Sequence, residues 1–159
     1  MRHVLLAAVL ALPTAALAAE TPSPVAAEVE KGVKAYNAQD ISYYEDALST
    51  DAVYIAEDGA VFTGKEKVLR LFSRIFAKTP ARKLAVTDVA TGAKGDVAWA
   101  RFKWTLTMGE DSRQGVTSIL FARAGDAWQV LQIQNTPAGH VMPASAPPAG
   151  SPPPPKPHR

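Results

Sequence analysis

The chain contains no cysteine, and that absence removes disulfide staples, thiol nucleophiles and cysteine-ligated metal centres together. Histidine is nearly as scarce: His3 opens the chain, while His140 and His158 lie at or beyond the end of the candidate domain. A histidine-based triad or metal site therefore has nothing to be built from, and neither metal nor cofactor is expected. A dominant charge is missing too. Lys and Arg total 17 against 15 Asp and Glu, a formal net charge of +2. Arg2, Lys156 and Arg159 all fall outside the candidate domain, which is left close to neutral. It carries no basic stripe of the kind a phosphate backbone demands, so nucleic acid is not an expected partner.

Long apolar runs are also lacking, with one short exception at the start. Arg2 and His3 precede the apolar run Val4 to Leu12, followed by Pro13 and small residues through Ala19. The run falls well short of the ~20 residues that span a bilayer, and its order of basic, apolar and small residues is that of a secretory signal peptide. Ala16 and Ala18 form the A-x-A pair, so residues 1–18 are read as a signal peptide cleaved before Ala19. The expected location is periplasmic or secreted, with no membrane anchor after cleavage. Residues 19–24 form a short polar lead.

From Val141 the sequence reads VMPASAPPAGSPPPPKPHR. Repeated proline removes backbone donors and no apolar period survives, so residues 139–159 are expected to be a disordered Pro-rich tail. Between lead and tail lies a single candidate domain, residues 25–138, long enough to bury an ordinary core without covalent help.

Within it, Val25, Ala26, Val29, Val33 and Tyr36 recur at helical spacing. Asp40 is placed to N-cap a second short helix, Ile41 to Leu48, which Ser49 to Asp51 closes. Ala52 to Ala56 alternates as a strand, Asp58 and Gly59 supply a turn, and Val61 to Thr63 returns. Val68, Leu69, Leu71, Phe72, Ile75 and Phe76 then define an amphipathic helix over Lys65 to Lys78, stopped by Thr79 and Pro80. Four strands follow, Lys83 to Thr91, Asp96 to Met108, Gly115 to Arg123 and Ala127 to Asn135, separated by glycine-containing turns. Helices first and an antiparallel meander after them make an α+β domain, with a curved sheet wrapped over helices.

The order of these elements resembles the NTF2-like superfamily, in particular its SnoaL-like and ketosteroid-isomerase-like branch. AYNAQDISYYEDALSTDAVYIAEDGAVFTGKEKV is similar to that branch's helix, helix and hairpin opening, GDVAWARFKWTLT to its central strand, and ARAGDAWQVLQIQNT to its closing hairpin. The resemblance spans roughly Val25 to Ala138. It implies a cystatin-like cone of helices packed in a curved antiparallel sheet, and a homodimer formed through that sheet. It does not imply one activity, because the superfamily includes isomerases, dehydratases, binders and assembly domains.

The isomerase chemistry requires a carboxylate base and an oxyanion hole. The resemblance places the oxyanion tyrosine at Gly32, the base at Ala56 and the second acid near Ser118, so none of the three is matched and no catalytic residue is assigned. Glu57 and Asp58 adjoin the base position, but Asp58 before Gly59 has the composition of a turn. Asp40 and Asp51 flank a helix and are read as capping or turn residues. Some relatives place a His-x-His pattern on the interior face of the last strand, where this chain has Gln132 and Gln134; amides orient a ligand but do not titrate.

Period-two alternation in the central strand divides Ala98, Ala100, Phe102, Trp104 and Leu106 from Trp99, Arg101, Lys103 and Thr105. The first set reads as core. Matching to the isomerase branch puts the Trp99 face inside the cone, where Trp99 forms an aromatic wall and Arg101 a fixed positive group; otherwise that face meets solvent or a second subunit. Tyr36 and Tyr54 are placed to point inward, as cavity lining or as packing residues. The candidate ligand-binding residues are therefore Tyr36, Tyr54, Trp99, Arg101 and Gln134. The expected function is that of an exported, soluble, dimeric domain that holds a small apolar or anionic molecule in its cone, with no catalysis assigned. The alternative is an isomerase- or dehydratase-type enzyme for a small hydrophobic carbonyl compound, using Tyr54, Gln134 and Asp51.

Overall fold

A computed structural model describes residues 23–78 and 82–139. The expected signal peptide, residues 19–22 of the expected polar lead and residues 140–159 of the expected Pro-rich tail lie outside the described residues.

Helix α1 (Ala26–Ala38) ends where Gln39 turns left-handed at φ 58°, and Asp40 then caps α2 (Ile41–Ala47), its carboxylate accepting from Ser42 N at 3.0 Å. Such a cap satisfies a donor that the first helical turn leaves without a partner. The chain passes straight into β1 (Leu48–Ile55), so Ser49 to Asp51 belong to the strand and not to a closing loop. A turn follows in which Gly59 has φ 84° and Asp58 accepts from Ala60 N, and β2 (Val61–Thr63) returns. Helix α3 (Lys65–Phe76) precedes the meander β3 (Lys83–Lys94), β4 (Val97–Met108), β5 (Asp111–Ala124) and β6 (Ala127–Pro137).

The strands form one six-stranded sheet in the order β2-β1-β6-β5-β4-β3. All neighbours are antiparallel except β1 and β6. This is the α+β, cystatin-like arrangement expected from the sequence. Register shifts interrupt β1 between Leu48 and Val53, β3 between Thr87 and Ala90, and the β5–β6 ladder between Leu120 and Phe121. Extra residues in one strand bend it and increase its twist, which curls the sheet into a cone around the helices.

The core sits inside that curl. Ala98, Ala100, Phe102, Trp104 and Leu106 of β4 are buried beside Phe121, Val130, Leu48 and the α3 residues Val68 and Phe72. Gly115 is needed where β5 passes Trp104, since a Cβ there would collide with the Trp104 ring and the Thr136 carbonyl oxygen.

Candidate functional site

The cone encloses a cavity of ≈ 130 Å³. Where helices and β1 meet its wall is aromatic: Tyr44 packs against Phe72 with ring centroids 4.5 Å apart, and Tyr54 of β1 meets Phe72 edge-on at 5.4 Å. On the sheet side Phe102, Trp104, Ile119 and Ile133 complete it. Phe102 and Trp104 thus wall the cone without filling it.

Polar groups enter this apolar space from several elements. Tyr36 comes from the last turns of α1, Tyr54 from β1, Glu57 from the turn after β1, Arg82 from the residue before β3, and Thr117 and Asn135 from β5 and β6. Two residues beyond Arg82, the start of β3 is anchored by Asn37. The Asn37 Nδ2 donates to Leu84 O at 2.8 Å and its Oδ1 accepts from Leu84 N at 2.7 Å, which ties the end of α1 to the start of β3. Asn135 is fixed by Thr117, whose hydroxyl donates to Asn135 Oδ1 at 2.6 Å, while Asn135 Nδ2 donates to Ile55 O at 3.2 Å. Glu57 is held by Arg113 at 3.2 Å.

Burial raises all four phenols above their ordinary pKa, because the phenolate would be poorly solvated. Tyr43 is pushed up to about 12, with Glu28 adding to the desolvation. For Tyr36 the desolvation is opposed by the Arg82 guanidinium. These phenols are neutral hydrogen-bonding groups at physiological pH. Tyr43 and Tyr44 are already committed, donating to Glu28 O at 3.0 Å and Gly32 O at 2.9 Å.

Of the residues singled out from sequence, the structure brings Tyr36 and Tyr54 together in the cavity. Trp99, Arg101 and Gln134 stand elsewhere. Trp99 is 46% exposed on the outer face of the sheet, over Gly92, where a Cβ would lie 2.6 Å from its indole Nε1. Arg101 shares that face, because the alternate residues Ala100 and Phe102 are the buried ones. The assignment of the Trp99 face to the cone is therefore corrected: the apolar set of β4 faces inward, and it both forms core and lines the cavity.

Gln134 is corrected for a different reason. Val130 of β6 pairs with Phe121 and faces the interior, but Gln132 pairs with Leu120, so Leu131 is an extra residue in the ladder. A one-residue bulge exchanges the faces of everything beyond it. Ile133 and Asn135 turn inward, and Gln134 is exposed. Asp51 is exposed as well, accepting from Ser49 Oγ at 2.9 Å.

The positions carried over from the isomerase branch change likewise. The space beside Gly32 is occupied by Tyr43, whose hydroxyl lies 3.6 Å from where a Cβ would stand. Ser118 is exposed while its neighbour Thr117 is buried, and the residue after Ala56, Glu57, reaches the cavity. Glu57, Arg82 and Asn135 are the site residues that sequence reasoning missed. Only Glu57 carried a signal, its place next to the expected base. Among the described residues no cluster of His, Asp and Glu is fit to hold a metal ion, and no helix is long and apolar enough to cross a membrane.

No curated protein matches the sequence. Many solved structures share the fold. One is a protein from Streptomyces avermitilis named provisionally as a dehydratase of the NTF2-like family, 20% identical, covering 71% of this chain and 92% of its own with a TM-score of 0.66. An NTF2-like superfamily protein from Salmonella enterica is 14% identical over 77% of this chain and 94% of its own, TM-score 0.66. An uncharacterised cystatin-like protein from Caulobacter vibrioides is 10% identical over 73% and 88%, TM-score 0.66. At such identities the likeness speaks for the fold alone. The family model for the SnoaL-like domain matches residues 25–138, and the chain, which shares the fold of these NTF2-like structures, belongs to the SnoaL-like family.

Proposed function

We propose that this protein is an exported small-molecule-binding domain that works outside the cytoplasm as a homodimer and holds a small apolar or anionic compound in its cone. The observation that carries the reading is the cavity itself: an aromatic and aliphatic enclosure with a few convergent polar groups, Tyr36, Tyr54, Glu57, Arg82 and Asn135. Ligand sites have this composition, apolar surface for affinity and sparse polar groups for orientation. Dimerisation is supported by the outer sheet face, where Val97, Trp99 and Leu120 are exposed and Trp99 and Leu120 are cross-strand partners. Export is supported by the order of residues 1–18.

The test is thermal unfolding of the mature protein against small carboxylates and uncharged aromatics. A ligand of the native state stabilises it progressively with concentration, by about 2.7 kcal/mol at a hundredfold excess over Kd, and raises the melting temperature accordingly. A broad panel without any shift overturns the reading. Sedimentation of wild type and Trp99→Lys tests the dimer, which the substitution should dissociate.

A second reading is favoured by one observation, the carboxylate of Glu57 in a cavity that also holds Tyr36 and Tyr54. This is an isomerase- or dehydratase-type enzyme in which Glu57, rather than Asp51 or Gln134, moves the proton. Exchange of the α-hydrogens of a small hydrophobic ketone into deuterated buffer tests it. Exchange that is catalysed, and lost in Glu57→Gln, supports the enzyme; exchange unchanged by the substitution removes Glu57.

A further inference from the structure

The cavity is rich in donors and short of acceptors. Arg82 Nε is buried and has no hydrogen-bond partner among the described residues, and neither has the buried indole Nε1 of Trp104. Both residues line the cavity. Its carboxylates and amide are engaged in part: one oxygen of Glu57 takes Arg113, Asn135 Oδ1 takes the Thr117 hydroxyl, and one oxygen of Glu28 takes Lys31 at 2.7 Å. Buried polar groups in native proteins are almost always paired, so an orphaned pair of donors beside a cavity indicates acceptor atoms brought in by something else.

The charges point the same way. Arg82 and Glu57 line the cavity, and Arg113, outside its lining, pairs with Glu57. Glu57 is taken by Arg113, and among the described residues no carboxylate pairs with Arg82. A cation that keeps an unsatisfied donor beside an aromatic enclosure is matched by an anion with an apolar body.

Arg82 also stands close to an anchored segment: the two Asn37 hydrogen bonds to Leu84 fix the backbone two residues beyond it, and Tyr36 precedes Asn37 directly, so the clamp joins the two stretches of chain that carry these groups. A guanidinium and a neutral phenol oriented together suit a carboxylate, with its two acceptor oxygens.

We propose that the cavity takes a small monocarboxylate with an apolar or aromatic body, the carboxylate bound by Arg82 with Tyr36 donating to it, and the body lying among Phe72, Phe102 and Ile119. The inference rests on the small-molecule-binding reading and names its ligand class. It replaces Arg101 by Arg82 as the group that meets the anion. The volume, of the order of a cavity that admits a benzene ring, selects a single-ring or short-chain acid.

Calorimetric titration of the full-length protein with benzoate, phenylacetate and hexanoate, and with the corresponding primary amides, tests the proposal. Amides keep size and shape and lose the charge. The carboxylates are expected to bind at least about tenfold tighter than their amides, the range of a charge-assisted hydrogen bond. Arg82→Gln should abolish that preference, and Tyr36→Phe should reduce it in part. Carboxylates no tighter than amides, or a preference that survives in Arg82→Gln, overturns the anion assignment and leaves the binding reading standing. Absence of binding by every acid and every amide overturns both. Circular dichroism of each variant establishes that it folds, and Tyr36→Phe gives an independent readout should Arg82→Gln not.

Discussion

Asn37 and Leu84 meet as two strand residues would, the side-chain amide of one exchanging two hydrogen bonds, 2.8 and 2.7 Å, with the backbone of the other. The contact joins the end of α1 to the start of β3 across a separation of 47 residues. It closes the cone at the level of Tyr36 and Arg82. Asn37→Ala leaves the Leu84 groups without these partners and is expected to cost about 1–3 kcal/mol. Urea denaturation should show a lower midpoint at unchanged slope. Anion affinity should fall with it, since Arg82 loses its anchor.

Gly115 carries no side chain because Trp104 and the Thr136 carbonyl fill the space. Gly115→Ala forces backbone or ring to move, and overpacking of this kind costs about 1–3 kcal/mol. The expected result is a lower melting temperature together with a changed tryptophan emission. An unaltered emission at native stability would show that the strand shifts freely.

Thr117 is buried and spends its hydroxyl on Asn135. Thr117→Val keeps the shape and leaves Asn135 Oδ1 unpaired, which should destabilise by about 1–3 kcal/mol, whereas Thr117→Ser should retain the bond and most of the stability. Equal losses for the two variants would mean that packing, not the hydroxyl, is what β5 requires.

The four tyrosines give a pH prediction. Each has its pKa raised by burial, Tyr43 to about 12 from the ordinary 10.0 of a phenol. A raised folded-state value means that the native state holds the proton more tightly than the unfolded chain does. The contribution to stability is therefore complete below pH ~10 and is lost as the pH rises from there through the folded values. Phenolate absorbance of the native protein should stay low through the ordinary tyrosine range and then rise together with alkaline unfolding. A reversible rise near pH ~10 with native circular dichroism would contradict it.

Local signals in the sequence settled most of the architecture. Asp40 caps α2 as its position before Ile41 required, Asp58 and Gly59 turn the first hairpin, and alternation in β4 separated Phe102 and Trp104 from Trp99 and Arg101. Such features act over a few residues, so neighbours in sequence are enough to specify them. Tyr36 and Tyr54 were likewise legible as cavity residues from helical spacing and strand parity.

What the chain alone left open was which face of each strand looks inward. The bulge at Leu131 exchanged Gln134 for Asn135, and the direction of sheet curvature placed Trp99 and Arg101 outside. Arg82 had no periodic neighbour to reveal it, lying just before β3, where the chain meets α1 through the distant Asn37 clamp. The sequence determined the elements because local propensity and pattern are short-range properties. The tertiary structure decided the site, because register shifts, curvature and contacts far apart in the chain exist only once the sheet has closed around the helices.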